Sequence, residues 1–414
     1  MNTKDAAIVV LDHSFRINSR VLAEASHSGL KLFIIYYSPY YHSEKLRSIY
    51  RDPRSNTELH RIALGSLSED IHKLGGEVNL VLSGDPSEHL TQLVKDNPRV
   101  GAVYWDIPLF SPTWVPNDEE LEALSVKVLP VCSDRFNPDI SRRTAKSLSY
   151  TWAGTQNEVE HSICKDVKFV KLDVDSATCP YSHADGLTYQ NIRDHLVDCS
   201  LRNIHNRAGD YLRTRNAYGG SCEASCLLQH GMLDAPSIIH KLLQSQEFDV
   251  AFPLLRQFAF RELAIKKARR HGLNMQSSLD DWVDALMTDK SACNIRDNEF
   301  EPECTVEEFQ SGNTPDVALN YVILRAKNDR WMPNRARMWL AGEAYHMLGG
   351  GLKSLQALVD FFDFFIDDGQ SPNNYINCIS ALSLSYGRVV RLNREKAIKL
   401  LELERVMEED SVRY

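Results

Sequence analysis

The periodicity of apolar residues changes once along this chain, and that change limits the possible folds more than any other feature. Up to Val131, short continuous apolar runs at Ala6–Leu11, Leu32–Tyr37, Val78–Leu82, Ala102–Trp105 and Lys127–Val131 alternate with amphipathic stretches at Ser19–Ser28, Thr57–Leu74, Pro86–Asp96 and Asp118–Ala123. Runs that are apolar on both faces and separated by helical patterns predict a parallel, Rossmann-like sheet covered by helices. After Leu187 only the helical period remains, clearest at Ile192–Arg207, Ala235–Ser245, Pro253–His271, Leu279–Met287, Asp316–Lys327, Met332–Met347 and Ser354–Phe365, with no internal repeat. Between Cys132 and Asp185 the chain is rich in Ser, Thr, Asp and Lys, as expected of an interdomain linker. The layout predicted is an α/β domain over 1–131, a linker over 132–183 and an all-α domain over 184–414.

Composition narrows the function. Of 414 residues, 47 are Lys or Arg and 56 are Asp or Glu, a formal charge of −9. That balance argues against broad binding to phosphate backbones, where clustered positive charge supplies most of the affinity. The nine cysteines are scattered, with Cys222 and Cys226 nearest and no matching histidines, so no metal site is expected and reduced thiols in a cytoplasmic protein are. The apolar start is too short for a signal-peptide core, and no stretch approaches the roughly 20 residues needed to cross a bilayer. The turn after the first predicted strand reads Leu-Asp-His-Ser-Phe-Arg and lacks GxGxxG, so nicotinamide binding is not expected there.

Three segments of the helical half gather polar groups beside small residues. The first runs from Tyr211 to Asp234, where Gly219 and Gly220 permit a tight turn and Ser221 and Ser225 bracket a helix start. Hydroxyls and free N–H groups at a helix N-terminus suit an anion, or simply cap the helix. The second, Arg256 to Leu263, places Gln257 and Arg261 on one helical face with Phe258 and Glu262 beside it, an arrangement that also suits a surface ion pair. The third is Arg330 to Leu340, followed by a polar stretch from Phe365 to Tyr375 that reads as a loop able to wrap a ligand or as a hydrophilic turn.

In order and spacing these segments resemble the FAD-binding domain of the photolyase/cryptochrome family. The phosphate-binding motif of that family resembles Ser221-Cys222-Glu223-Ala224-Ser225-Cys226-Leu227-Leu228-Gln229-His230-Gly231, preceded by Tyr211 and Arg215-Asn216; both hydroxyls of the motif's first pair are not retained. Its Trp-x-His-Asn-Arg-x-Arg-Met helix is similar to Trp331–Met338, and its Asp-Gly-Asp-x-x-x-Asn-Asn loop to Asp367–Asn374. Arg261-Glu262 and Tyr375–Leu382 resemble the class II branch. The resemblance implies an antenna-type α/β domain and an all-α domain holding FAD. By the same resemblance Tyr211, Arg215, Ser221, Ser225, Arg261, Asn334, Arg337, Asp367 and Asn373 would bind the cofactor. Arg337 and Asp367 would pair at the flavin and Asn373 would face flavin N5.

The departures fall on the substrate side. Gln257 stands where the family has the glutamate that hydrogen-bonds damaged bases, Phe260 where it has a tryptophan, and Pro333 where it has a histidine. Asn377 occupies the position of the flavin-proximal tryptophan, which leaves Trp339 or tyrosines such as Tyr375 as electron carriers. With Asn373, the residues Gln257 and Phe260 are the candidate catalytic set. The resemblance thus implies an FAD-dependent, photolyase-like enzyme, and altered substrate-side residues point to a small molecule or nucleotide rather than to efficient DNA repair. A light-driven photolyase acting on pyrimidine dimers and a cryptochrome-like blue-light receptor are the other readings. Weak or no binding to duplex DNA and no membrane association are expected.

Overall fold

The computed structural model describes residues 4–12, 14–37, 57–81, 84–107, 114–131, 162–172, 177–178, 188–218, 224–273, 277–287, 295–297, 299–368, 372–383 and 393–411. The described residues fall into two compact units. The first holds everything up to residue 131 with 162–202 and 224–245, and the second holds 203–218 and everything from Gln246 onward.

In the first unit, strands β1 (Ala6–Leu11), β2 (Lys31–Tyr37), β3 (Val78–Val81), β4 (Val100–Asp106) and β5 (Lys127–Val131) form a parallel sheet. With β6 (Ala177–Thr178) the order is β5-β4-β1-β2-β3-β6. The central strand β1 is buried at every residue, as are all but the first of β2, because helices cover both faces. Strand β5 is exposed or half-buried at every residue before Val131 and tolerates Pro130 because it lies at the edge. Part of the segment read as a linker is built into this unit. Strand β6 pairs antiparallel with β3, Leu32 exchanges main-chain hydrogen bonds with Lys168 and Val170, and Leu172 joins the apolar core under the sheet.

The first part of one later helix and all of another also belong here, and each is tied down at its start by a carboxylate. Glu69 accepts the N–H groups of Tyr189 (2.7 Å) and Gln190 (3.1 Å), so an acid on the Thr57–Lys73 helix caps the start of the Tyr189–Arg207 helix. Asp234 caps the Ala235–Ser245 helix through Ser237 and pairs with buried Arg16 at 3.5 Å, whose Nη1 also donates to the carbonyls of Gly231 and Leu233. Gly65 lets the Thr57–Lys73 helix press on the ring of Tyr189, since a Cβ there would lie 2.4 Å from Tyr189 Cδ2. Helix propensity alone favours alanine at a helical glycine by up to about 1 kcal/mol. Here the overlap dominates, so Gly65→Ala is expected to destabilise this unit by about 1–3 kcal/mol in chemical denaturation.

The second unit is helical, and its centre is the Asn334–Met347 helix. That helix is buried nearly all round, from Ala336 through Tyr345 with only Met338 half-buried, and contacts the helices Gly351–Phe365, Pro372–Ser383 and Arg394–Leu401. Small and apolar residues on every side mark an interior helix in sequence as well. Two local expectations need correction. The Phe248–Arg270 helix begins ahead of Pro253, which lies inside it. The polar stretch ending at Tyr375 is not all loop: a helix starts at Pro372, where the missing proline N–H costs nothing because the first N–H groups of a helix have no intrahelical partner. No helix among the described residues is long and apolar enough to cross a membrane.

A candidate cofactor site in the helical unit

Within the second unit the start of the first predicted segment and the second and third come together. The Pro372–Ser383 helix packs on both Asn334–Met347 and Phe248–Arg270, and the latter also contacts the short Tyr211–Thr214 helix. At the centre lies Arg337, 5% exposed, with all three sides of its guanidinium engaged. Nη2 donates to Asp368 Oδ1 at 2.8 Å, Nη1 to Asn374 Oδ1, and Nε to the Met332 carbonyl at 3.0 Å. Asn374 Nδ2 in turn donates to the main-chain oxygen of Asp368. Asp368 and Asn374 are 5% and 2% exposed, so this is a desolvated, fully bonded charge pair.

The expected pair of Arg337 with Asp367 is therefore not formed. Asp367 turns instead to Arg330, with Oδ1 2.7 Å from Arg330 Nε, and its N–H bonds the Arg330 carbonyl. The cause is local backbone geometry. Arg330 ends the Val317–Asp329 helix in the left-handed conformation, at φ 54°, which sends the chain through Trp331-Met332-Pro333 into the next helix. Burial holds the Asp367 carboxyl above the ordinary aspartate range, with Arg330 opposing.

The other predicted residues are placed as follows. Tyr211 is buried at the start of its helix, and Arg215 caps that helix with its Nε buried and without a hydrogen-bond partner among the described residues. Arg261 lies 3.6 Å from fully buried Glu262. Gln257 is half-buried, while Phe260 is 45% exposed beneath the guanidinium of Arg256 at 5.5 Å. Asn334 is exposed and accepts a hydrogen bond from Asn377 at 2.8 Å. Asn373 lies in the first turn of its helix, but its side chain is outside the described residues, as is Ser221. Ser225 is half-buried on the Ala224–Gln229 helix, which belongs to the first unit.

Sequence reasoning missed Asp368, Asn374, Arg330 and Tyr218. The two doublets Asp367-Asp368 and Asn373-Asn374 keep the same separation in either register, so spacing alone does not choose between them. Tyr218 is 5% exposed, lies under the Arg325 guanidinium at 4.8 Å, and has its phenol pushed well up by burial; its hydroxyl has no hydrogen-bond partner among the described residues. Arg330 Nη2 is a further buried donor without such a partner. Arg215 Nε, Tyr218 Oη and Arg330 Nη2 thus form a set of unmet donors of the kind an acceptor-rich, anionic dinucleotide satisfies. The donor chemistry fits FAD.

No protein-family model matches the sequence, and no curated relative matches it by sequence alone. Solved structures do match in shape. A Synechocystis sp. PCC6803 cryptochrome superposes with a TM-score of 0.72 over 96% of this chain and 86% of that one, at 15% identity. An archaeal photolyase from Sulfolobus tokodaii, solved with two FAD molecules, gives 0.64 over 95% and 87% at 13% identity. A bacterial class III photolyase from Agrobacterium tumefaciens gives 0.63 over 92% and 80% at 16% identity. A parallel sheet unit, a helical unit and a match along nearly the whole chain lead to one conclusion: this protein has the photolyase/cryptochrome fold.

Proposed function

We propose that the protein is an FAD-binding flavoprotein of the photolyase/cryptochrome type, diverged toward a small-molecule or nucleotide substrate. The observation that carries this is the buried Arg337–Asp368–Asn374 triad, with unmet buried donors at Arg215, Tyr218 and Arg330 in the same unit. Arg215, Tyr218 and Arg330 would hold the cofactor through their unmet donors, the Arg337–Asp368–Asn374 triad would fix the chain beside it, and Arg261, Tyr211, Ser221, Asn334 and Asn373 are the further contacts implied by resemblance. FAD bound there supplies one-electron transfer. Triad residues contribute a fixed amide and a fixed cation without reorganising, since each is already hydrogen-bonded and dry.

On the substrate side, Gln257 cannot supply a proton as a carboxylic acid does. The exposed Phe260–Arg256 pair offers a flat apolar face beside one cation, suited to an aromatic or heterocyclic ring. A formal charge of −9 favours such a ligand over a duplex. Free thiols at Cys164, Cys199, Cys226, Cys304 and Cys378 are in keeping with a reducing cytoplasm.

Anisotropy titrations with labelled duplexes, with and without a pyrimidine dimer and at matched salt, test the divergence. Weak binding and no preference for the damaged duplex are expected, together with no loss of dimers under blue light when the flavin is chemically reduced. Selective, tight binding with repair would replace this reading by the photolyase one.

A further inference from the structure

Arg325, on the Val317–Asp329 helix, is held from more sides than its charge requires. Its Nε donates to Asp329 Oδ2 at 2.9 Å, one turn along the same helix, and that carboxylate alone would balance the cation. Nη1 donates as well to the Tyr321 hydroxyl at 2.6 Å and to Asp410 Oδ2 at 2.9 Å. Asp410 comes from the Leu403–Ser411 helix, 85 residues further along the chain, and also accepts a hydrogen bond from the Tyr321 hydroxyl. Burial, with the Asp410 carboxylate adding to it and Arg325 opposing, pushes the Tyr321 phenol up to about 12, so it stays a donor at neutral pH.

What this arrangement fixes is a guanidinium under a ring. Arg325 lies 4.8 Å from the centre of the Tyr218 ring and 5.9 Å from that of Tyr321. Tyr218 is 5% exposed, and its hydroxyl is a buried donor without a hydrogen-bond partner among the described residues. The charge of Arg337, from the buried triad, acts on the same phenol. In sequence, Tyr218 stands directly before Gly219-Gly220-Ser221, in the segment read as suited to an anion. Partly solvated ion pairs add little to stability, because water screens them and long side chains must be ordered to make them. The second carboxylate on Arg325 is therefore explained by orientation rather than by charge.

We propose that Asp410 is a positioning residue for the ligand of the helical unit: acting through Arg325, it holds the Tyr218 ring so that the hydroxyl is a preset hydrogen-bond donor to that ligand. The identity of the ligand as FAD rests on the reading above; the coupling of Asp410 to Tyr218 does not. A donor ordered before binding loses less freedom when the ligand arrives, so removing Asp410 weakens binding more than folding.

FAD dissociation constants for the full-length chain and a cycle of two variants test this. Tyr218→Phe should weaken binding about tenfold, the upper end for one hydrogen bond, and Asp410→Ala about fivefold. Because Asp410 acts through Tyr218, the double variant should bind within about twofold of Tyr218→Phe alone. Wild-type affinity in either single variant, or effects that multiply in the double variant, overturns the proposal. Fluorine NMR of the flavin-free chain labelled with 3-fluorotyrosine reads the same link without a cofactor. The Tyr218 signal, assigned by its absence in Tyr218→Phe, should shift in Asp410→Ala; an unmoved signal overturns the proposal even where FAD binds. A shifted signal in a chain that takes up no FAD refutes the cofactor reading and leaves the coupling standing.

Discussion

Asp368→Ala is expected to purify without flavin and to lose about 3–5 kcal/mol of stability in the helical unit, whereas Asp367→Ala keeps most of both. Removing Asp368 leaves the Arg337 guanidinium in a site where it is 5% exposed, with one N–H facing no acceptor. An uncompensated charge at that depth has no water to turn to. The loop and the first turn of the Pro372–Ser383 helix also lose their shared anchor, since Asn374 binds both Arg337 and Asp368. Asp367 differs because its pair with Arg330 is partly solvated, with side-chain exposures of 25% and 15%. Chemical denaturation and the ratio of flavin to protein after purification read the two effects separately. Equal losses in the two variants would return the anchor to both aspartates.

Asp12→Asn is expected to stabilise the sheet unit increasingly as pH rises. Asp12 follows β1 and Asp106 ends β4, the two strands between which the sheet order reverses. Asp106 is fully buried and accepts the N–H groups of Ser14 at 2.7 Å and Asp12 at 3.4 Å. Asp12, half-buried as a residue, keeps its Oδ2 buried without a hydrogen-bond partner among the described residues. Burial, and then the nearby Asp106 charge, raise its carboxyl from 3.8 to about 8. The folded unit therefore holds a proton that the unfolded chain releases, and the unfolded state gains on the folded one as pH rises from about 4 toward 8. Its contribution is fully present at low pH and lost through the folded-state value, at about 1.4 kcal/mol per pH unit. Asparagine has no proton to release, so the stability difference between variant and parent should widen by on the order of 1 kcal/mol per pH unit between about pH 5 and 8. A difference that stays flat with pH in urea titrations would contradict the assignment.

The fold was largely legible, and the reasons are local. Strands β1, β2 and β4 are unbroken apolar runs because both faces are covered, and such runs read the same in sequence and in space. The helix at Pro86–Asp96 was bounded correctly because Asp85 caps it and a proline opens it. What was not legible depended on partners distant in sequence. Nothing in Ala177–Thr178 announces a strand; it becomes one by pairing with β3. Likewise the polar run before Tyr375 looks like a turn until the helix that starts at Pro372 is seen to bring Asn374 to Arg337. At the site, Arg337 was found by its motif, but its acid partner was displaced by one residue. Arg330 adopts a left-handed turn that only the folded chain reveals, and that turn claims Asp367.

The most direct test of the cofactor assignment is calorimetric titration of the flavin-free, folded chain with FAD, with riboflavin and with ADP. Saturable FAD binding at a single site is predicted, lost in Asp368→Ala, kept in Asp367→Ala, and tighter than either fragment because the whole dinucleotide offers acceptors to more of the unmet donors at Arg215, Tyr218 and Arg330. A folded wild-type chain that takes up no FAD, or binds it equally well without Asp368, would contradict the account.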